Sequence, residues 1–101
     1  MSLTFSITCL DNADSLDLRM TTRPAHLDYV ARAETDVFSV LIAGPLLNAD
    51  EKPMGSHFLV SAENEDAVKE FSKNDPYTRA GLFADITIRR FNIVAGALNP
   101  Q

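Results

Sequence analysis

Cysteine is almost absent from the 101-residue chain, which contains only Cys9. One thiol excludes an internal disulfide and any metal centre built from several cysteines. From Leu3 to Cys9, apolar residues alternate with serine and threonine, which is the period of a strand with one buried face. Cys9 lies on the apolar face of that strand, so we predict a buried, unreactive thiol rather than a nucleophile.

Basic residues are also scarce, because 9 Lys and Arg stand against 14 Asp and Glu, for a formal net charge of −5. This balance argues against nucleic acid as a partner, since binding to a phosphate backbone requires clustered cations. No apolar run approaches the roughly 18 residues that a membrane span needs, which argues against a membrane protein. Residues 1–5 lack a basic segment ahead of an apolar stretch, so we expect no secretory signal and a cytoplasmic location.

The remaining composition, 46% hydrophobic and 23% charged residues, is typical of a globular protein. Residues 1–101 are enough for a single domain with one modest core. Nothing in the chain resembles a linker, a repeat or a low-complexity tract, so no second unit is expected.

Hydrophobic periodicity predicts four strands and two helices. The predicted strands are residues 3–9, 37–43, 55–61 and 84 toward 91, and the predicted helices are residues 16–30 and a second that starts at a cap, Asn64 or Ser61, and stops before Asp75. Pro24 removes a backbone hydrogen bond, so we expect a kink in the first helix or a helix that begins near Pro24. Gly44 and Pro45 are expected to end the second strand, and residues 46–54 to form a loop.

The order strand, helix, strand, strand, helix, strand predicts a ferredoxin-like α+β fold, βαββαβ, with both helices on one face of the sheet. Residues 37–43 are apolar at odd and even positions alike, which indicates a strand covered on both faces. We therefore expect a homodimer in which two sheets pack face to face as a dimeric α+β barrel. Residues 93–101 are too apolar for a solvated tail and are expected to pack against something, such as the second subunit.

The candidate site centres on Asp75, which precedes a proline and is therefore displaced from helical geometry at the end of the second helix. Its predicted partner is His26, because a carboxylate that accepts an imidazole N–H fixes the tautomer and stabilises the charged ring. If the first helix is continuous, Arg19, Arg23 and His26 lie in one row beside its apolar stripe. From spacing alone, the simpler alternative is favoured, in which both arginines are solvated and His26 is an ordinary interfacial histidine.

His57 has the opposite strand parity to Ser56, so it is predicted to point away from the site, toward the surface or an interface. A metal site formed by His26, His57 and Asp75 is disfavoured, because neither histidine has helical metal-ligand spacing. The sequence indicates no cofactor.

Several motifs in this order resemble the YciI-like (YCII-related) proteins, small dimeric α+β barrel proteins, over nearly the whole chain. They are Arg23–Leu27, Ala43–Leu46, Gly55–Ser56, the acidic helix that ends at Phe71, Asp75–Tyr77 and Ala80–Leu82. The resemblance implies an active-site pair, His26 and Asp75, in a pocket between sheet and helices. It also implies a relation to enzymes that move protons on small cyclic substrates, including a dehydrochlorinase and lactone isomerases. The apolar C-terminal residues and Phe91, where many relatives carry tryptophan, depart from the pattern.

The first of two hypotheses is an enzyme that performs proton abstraction, elimination or isomerisation on a small organic acid or cyclic ligand. His26, oriented by Asp75, is the predicted acid or base. The predicted substrate-binding residues are Arg19 or Arg23 for a carboxylate, Ser56 and the Gly44 backbone for an oxygen, and Tyr77 as a pocket wall or proton donor. The second hypothesis is a non-catalytic module, in which the pocket binds a metabolite or the dimer is a scaffold and the His–Asp pair only locks the fold.

Overall fold

A computed structural model describes residues 2–96, which form one four-stranded antiparallel sheet with three helices. The elements in chain order are β1 (Leu3–Asp11), α1 (Leu16–Ala31), β2 (Phe38–Leu47), β3 (Pro53–Ala62), α2 (Glu65–Asn74), α3 (Pro76–Arg79) and β4 (Phe83–Arg90). The strand order is β2-β3-β1-β4, so β3 and β1 are central and β2 and β4 are the edges. The predicted ferredoxin-like α+β fold is confirmed.

The core forms where the alternating apolar residues of the central strands meet the helices. On β1, Phe5 and Ile7 pair with Val60 and Phe58 of β3, and all four side chains are buried. The buried cluster comprises Phe5, Ile7, Cys9, Phe38, Phe58, Val60, Ala62, Val68 and Phe71. Cys9 belongs to this cluster, so the prediction of a buried thiol is confirmed.

The burial of the Cys9 thiol can be tested by measuring how the free energy of unfolding changes at alkaline pH. Burial, reinforced by the negative charge of Asp75, raises the pKa of Cys9 from its ordinary value of 9.0 to about 12. As the pH rises through 9.0, the unfolded chain loses this proton while the folded chain keeps it, so the free energy of unfolding falls. We expect Cys9→Ala to reduce this fall, measured by urea denaturation, by at most about 1.4 kcal/mol per pH unit.

The stability of the two proteins must be compared below the pH at which Tyr29 of the unfolded chain loses its proton. Burial raises the pKa of Tyr29 from 10.0 to about 12, so Tyr29 lowers alkaline stability only above pH 10. The unmodified protein and Cys9→Ala are therefore compared between about pH 9 and pH 10. Equal slopes in that interval would contradict the assignment of a protected thiol.

The first helix, α1, spans Leu16–Ala31 with Pro24 inside it, so of the two alternatives at Pro24 a helix that begins there is wrong. Pro24 is exposed and removes one backbone hydrogen bond. The two halves of the helix are each held to the rest of the fold, through Arg19 before the proline and His26 after it. These contacts offset the missing bond, and the separation of about two helical turns places both side chains on one face of α1.

The predicted end of the second strand at Gly44 and Pro45 is also wrong, because β2 continues to Leu47. Gly44 pairs with His57 and Pro45 pairs with Ser56 of β3. The reason is position in the sheet, since an edge strand uses only one side of its backbone in the ladder and tolerates a residue without an N–H.

The loop predicted at residues 46–54 is shorter in the structure, because β3 starts at Pro53. The turn is organised by Asn48, whose Oδ1 accepts hydrogen bonds from the backbone N–H groups of Asp50 at 2.9 Å and Lys52 at 3.1 Å. The amide side chain replaces backbone partners within the turn, so the flanking strands pair almost to its ends.

The second helix is capped as the sequence predicted. Asn64 Oδ1 accepts a hydrogen bond from the Ala67 N–H at 3.0 Å, whereas the alternative cap, Ser61, lies within β3. The short helix α3, Pro76–Arg79, was not predicted. Its signal was present, since an Asp before a Pro is a typical N-cap followed by a first helical residue.

The helices pack on one face of the sheet, and the opposite face contains both polar and apolar residues. Ile42 of β2, on that opposite face, is 54% exposed. Beyond β4, Ile93 is buried but Val94 is exposed, and the prediction for residues 97–101 lies outside the described residues. No helix within residues 2–96 is long and apolar enough to cross a membrane.

Candidate active site

His26 and Asp75 are in direct contact, as the sequence predicted. His26 Nδ1 lies 2.8 Å from Asp75 Oδ1, and both side chains are buried. A carboxylate accepts hydrogen bonds but does not donate them, so the proton lies on Nδ1 and the neutral ring has its lone pair on Nε2. The pair can therefore act as a base through Nε2, with the charged ring stabilised by the carboxylate.

Asp75 is held in place by the start of α3. The same Oδ1 atom accepts a hydrogen bond from the Tyr77 backbone N–H at 2.9 Å, which caps this short helix. The Tyr77 ring stacks on the His26 imidazole, with centroids 3.9 Å apart and planes 17° from parallel. Phe58 and the imidazole form a T-shaped pair, with ring centroids 5.9 Å apart. These contacts fix the plane of the ring as well as its tautomer.

A cavity of about 370 Å³ opens beside His26, between α1 and the β2–β3 part of the sheet. Its lining residues are Arg19, Met20, Arg23, His26, Leu27, Val30, Ala43, Gly44, Pro45, Pro53, Ser56, Phe58 and Tyr77. Asp75 is not among them, so His26 separates the carboxylate from the cavity, and Nε2 is the ring nitrogen that Asp75 leaves for a ligand. The volume lies within the range of about 300–1,000 Å³ that is common for small-molecule sites.

Arg19 is the most constrained side chain of the cavity. Its Nε and Nη2 atoms bind the two carboxylate oxygens of Asp11 at 2.7 and 2.8 Å, and Nη2 also lies 2.9 Å from Ser56 Oγ. Burial alone would lower the pKa of Arg19, but the hydrogen bond to Asp11 and its negative charge raise it. The expectation that both arginines are solvated is wrong for Arg19, which is 3% exposed.

Arg23 differs from Arg19 although it lies one helical turn further along α1. It is exposed, it lines the cavity, and no carboxylate within residues 2–96 forms an ion pair with it. Its guanidinium is therefore available to an anionic group of a ligand.

Tyr77 is a neutral hydrogen-bonding side chain of the cavity. Burial raises the pKa of Tyr77 by more than the positive charges of Arg19 and Arg23 lower it. The guanidinium carbon of Arg19 lies 4.6 Å from the centre of the Tyr77 ring. The phenol thus keeps its proton at neutral pH while its ring packs between cationic and imidazole groups.

The structure therefore brings together all seven predicted site residues: His26, Arg19, Arg23, Gly44, Ser56 and Tyr77 line the cavity, and Asp75 lies behind His26. Asp11 was missed, because the first strand was predicted to span only residues 3–9. It is the last residue of β1, at a shift in the strand register, and no local pattern identifies it as the partner of Arg19.

His57 lies on the opposite face of the sheet, as predicted. Its Nδ1 is 3.2 Å from Thr8 Oγ1 and its Nε2 is 3.4 Å from Ser6 Oγ. Residues 2–96 contain no group of three or more His, Cys, Asp or Glu side chains that could hold a metal ion.

The sheet order and the cavity beside His26 define a small ferredoxin-like α+β protein with a candidate active site. The chain belongs to the YCII-related domain family, which it matches over residues 3–92. It is 33% identical to Protein YciI of Escherichia coli over 92 residues, covering 83% of this chain and 91% of that protein.

Two further relatives carry information on chemistry. A solved structure of 5-chloro-2-hydroxyhydroquinone dehydrochlorinase from Burkholderia phenoliruptrix, in complex with 2,5-dihydroxybenzoquinone, superposes with a TM-score of 0.80 and 34% identity, covering 89% of this chain and 94% of that chain. The Emericella nidulans derivative of benzaldehyde biosynthesis cluster protein C is 34% identical over 77 residues, covering 69% of this chain and 78% of that protein. The proteins that are similar to this chain thus include a small-molecule enzyme.

Proposed function

We propose that this protein is a small enzyme that uses His26 and Asp75 for general acid/base chemistry on an oxygenated cyclic substrate. The observation that carries the proposal is the geometry of His26, whose Nδ1 is bound to a buried carboxylate while its imidazole lines a cavity of about 370 Å³. An oriented base beside a cavity of ligand size is the arrangement that proton transfer requires.

The chemistry follows from the imidazole tautomer that the hydrogen bond to Asp75 selects. Nε2 of neutral His26 takes a proton from a hydroxyl or a C–H group of the substrate, and Asp75 stabilises the resulting imidazolium. In an isomerisation, the same proton returns to another atom of the substrate. In an elimination, the electron pair left behind forms a new π bond and expels a leaving group as an anion, and the proton then passes from His26 to water.

The lining of the cavity favours a flat substrate with negative charge. Tyr77 and Phe58 supply aromatic surface, and Arg23 supplies an available cation. The related dehydrochlorinase binds a dihydroxylated quinone, and the fungal relative takes its name from a benzaldehyde derivative. We therefore favour a hydroxylated six-membered ring over an open-chain acid, with Arg23 contacting one of its oxygens and Gly44 bordering it.

The proposal is tested by following proton transfer directly. The protein is incubated in D₂O with hydroxylated quinones, chlorinated hydroquinones and lactones, while NMR records deuterium incorporation and an ion electrode records chloride release. We expect exchange or elimination with at least one ring compound, at a rate that rises with enzyme concentration. Ring compounds that bind without either reaction would identify a binding module instead, and failure of all of them to bind would reject this substrate class.

The non-catalytic alternative has one specific observation in its favour. Asp75 Oδ1 accepts hydrogen bonds from both His26 on α1 and the Tyr77 N–H on α3, so the pair also joins two helices. The variant Asp75→Asn separates the two roles, because an amide oxygen keeps both acceptor positions but carries no charge.

The homodimer remains a prediction. The sheet face opposite the helices carries apolar side chains that are partly exposed, including Ile42 at 54% and Leu10 at 39%. Burial of this face against its copy in a second chain would cover them, which supports the expected face-to-face arrangement.

A further inference from the structure

Ser56 occupies a rigid position in the cavity wall. It lies on the central strand β3, paired with Cys9 of β1 on one side and Pro45 of β2 on the other. Its side chain lines the cavity although the residue is 3% exposed. A group placed by two flanking strands keeps its position without help from a ligand, which is what a fixed binding contact needs.

Arg19 determines whether the Ser56 hydroxyl donates or accepts a hydrogen bond in the cavity. Arg19 Nη2 lies 2.9 Å from Ser56 Oγ, and a guanidinium can only donate, so Oγ is the acceptor in this bond. The hydroxyl retains one hydrogen, and none of the side chains or carbonyls of residues 2–96 is found to accept it. That hydrogen is available to an acceptor in the cavity.

Asp11 explains why Arg19 itself is poorly placed to bind the substrate. Its carboxylate takes two hydrogen bonds from the guanidinium, and the two side chains are 4% and 7% exposed. Nε and Nη2 of Arg19 are therefore occupied, and Arg19 reaches the cavity through its hydrogen bond to Ser56 and its contact with the Tyr77 ring. A hydroxyl that accepts from a cation becomes a stronger donor, because the bond to the cation polarises its O–H group.

We infer that Ser56 donates a hydrogen bond to the anionic oxygen of the substrate and that Arg19, held by Asp11, is a positioning residue for this donor. The inference rests on the proposed function, because negative charge develops on a substrate oxygen when His26 removes a proton. The preferred ligand is then a ring with an ionised hydroxyl or enolate oxygen. A carboxylate clamped by both Arg19 and Arg23 is not the mode of binding.

Binding of 2,5-dihydroxybenzoquinone to the unmodified protein and to Ser56→Ala, measured by calorimetric titration, tests the donor. Loss of one hydrogen bond to a charged oxygen is expected to weaken binding about 10- to 100-fold. The matched control is Ser72→Ala, since Ser72 is also buried but lies on α2 outside the cavity. We expect Ser72→Ala to bind the quinone as the unmodified protein does.

A double-variant cycle tests the role of Arg19. Arg19→Lys keeps the positive charge but loses the planar fork. If Arg19 acts through Ser56, Arg19→Lys weakens binding in the unmodified background and has little further effect in Ser56→Ala. If the losses of binding free energy in Arg19→Lys and Ser56→Ala simply add in the double variant, the positioning role of Arg19 is wrong. Circular dichroism of each variant establishes that it is folded.

The outcomes separate this inference from the proposed function. Quinone binding that Ser56→Ala leaves unchanged overturns the inference alone, because the exchange and elimination assays on His26 are independent of it. No binding by the unmodified protein at millimolar quinone overturns the ring substrate class and the inference together. An equal loss of quinone affinity in Ser56→Ala and Ser72→Ala would also overturn the inference about Ser56, since the loss would then be unrelated to the cavity.

Discussion

Replacing His26 by glutamine is expected to lower turnover of the ring substrate by about 10²- to 10⁴-fold, the usual contribution of a positioned acid or base. Glutamine retains a polar group near Asp75 but cannot take up a proton. The free energy of unfolding of His26→Gln should fall by less than the activation free energy of the reaction rises. The measurement is the initial rate of deuterium exchange or chloride release at saturating substrate.

The other histidine of the chain provides the matched control. His57 is half-buried and hydrogen-bonded to Ser6 and Thr8 on the opposite sheet face. His57→Gln should therefore leave turnover unchanged. Equal losses in His26→Gln and His57→Gln would mean that both act through the fold, and the catalytic role of His26 would be wrong.

Asp75→Asn distinguishes charge from geometry in the same assay. Because the amide oxygen of the introduced asparagine can still accept from the imidazole and cap α3, the fold should be kept while stabilisation of the imidazolium is lost. A reduced rate with an unchanged melting temperature supports catalysis. Loss of the fold in Asp75→Asn, with no effect on rate in the folded fraction, would favour the structural role.

The second large effect is expected for stability. Arg19→Met leaves the Asp11 carboxylate without its partner, and the Asp11 side chain is only 7% exposed. Removal of one member of a buried ion pair costs about 3–5 kcal/mol, because an uncompensated charge remains inside. This is a large share of the roughly 5–15 kcal/mol that holds a typical domain folded, so urea denaturation should show a strongly lowered midpoint.

Arg32→Met is the control, since a second Arg–Asp pair of nearly the same length lies at the C-terminal end of α1. Arg32 Nε lies 2.9 Å from Asp28 Oδ1, but these side chains are 78% and 63% exposed. Loss of an exposed pair costs at most about 1 kcal/mol. Equal effects of Arg19→Met and Arg32→Met would contradict the importance of the buried pair, whereas partial rescue of Arg19→Met by Asp11→Asn would support it.

The sequence predicted those parts of the fold that depend on local patterns. Alternation from Leu3 to Cys9 identified β1, and a side-chain cap at Asn64 identified the start of α2. These features succeed because the period of buried residues and the capping chemistry act within a few residues of the chain.

The features that the sequence did not predict depend on neighbours in space. Pro45 was expected to end β2, but whether a strand tolerates proline depends on its place at the sheet edge. The pairing of Asp11 with Arg19 requires the end of β1 to lie beside α1, which no motif encodes. His26 and Asp75, 49 residues apart, were paired through chemical complementarity and family resemblance rather than spacing.

The two outermost strands bear on how the chain avoids aggregation. A free strand edge presents unpaired backbone groups to which another chain can add. Pro45 removes one such donor from β2, and the other outer strand, β4, carries the charges of Asp85, Arg89 and Arg90. Both borders thus discourage continuous ribbon growth between molecules, and they leave the broad surface of the sheet as the place where the proposed homodimer would form.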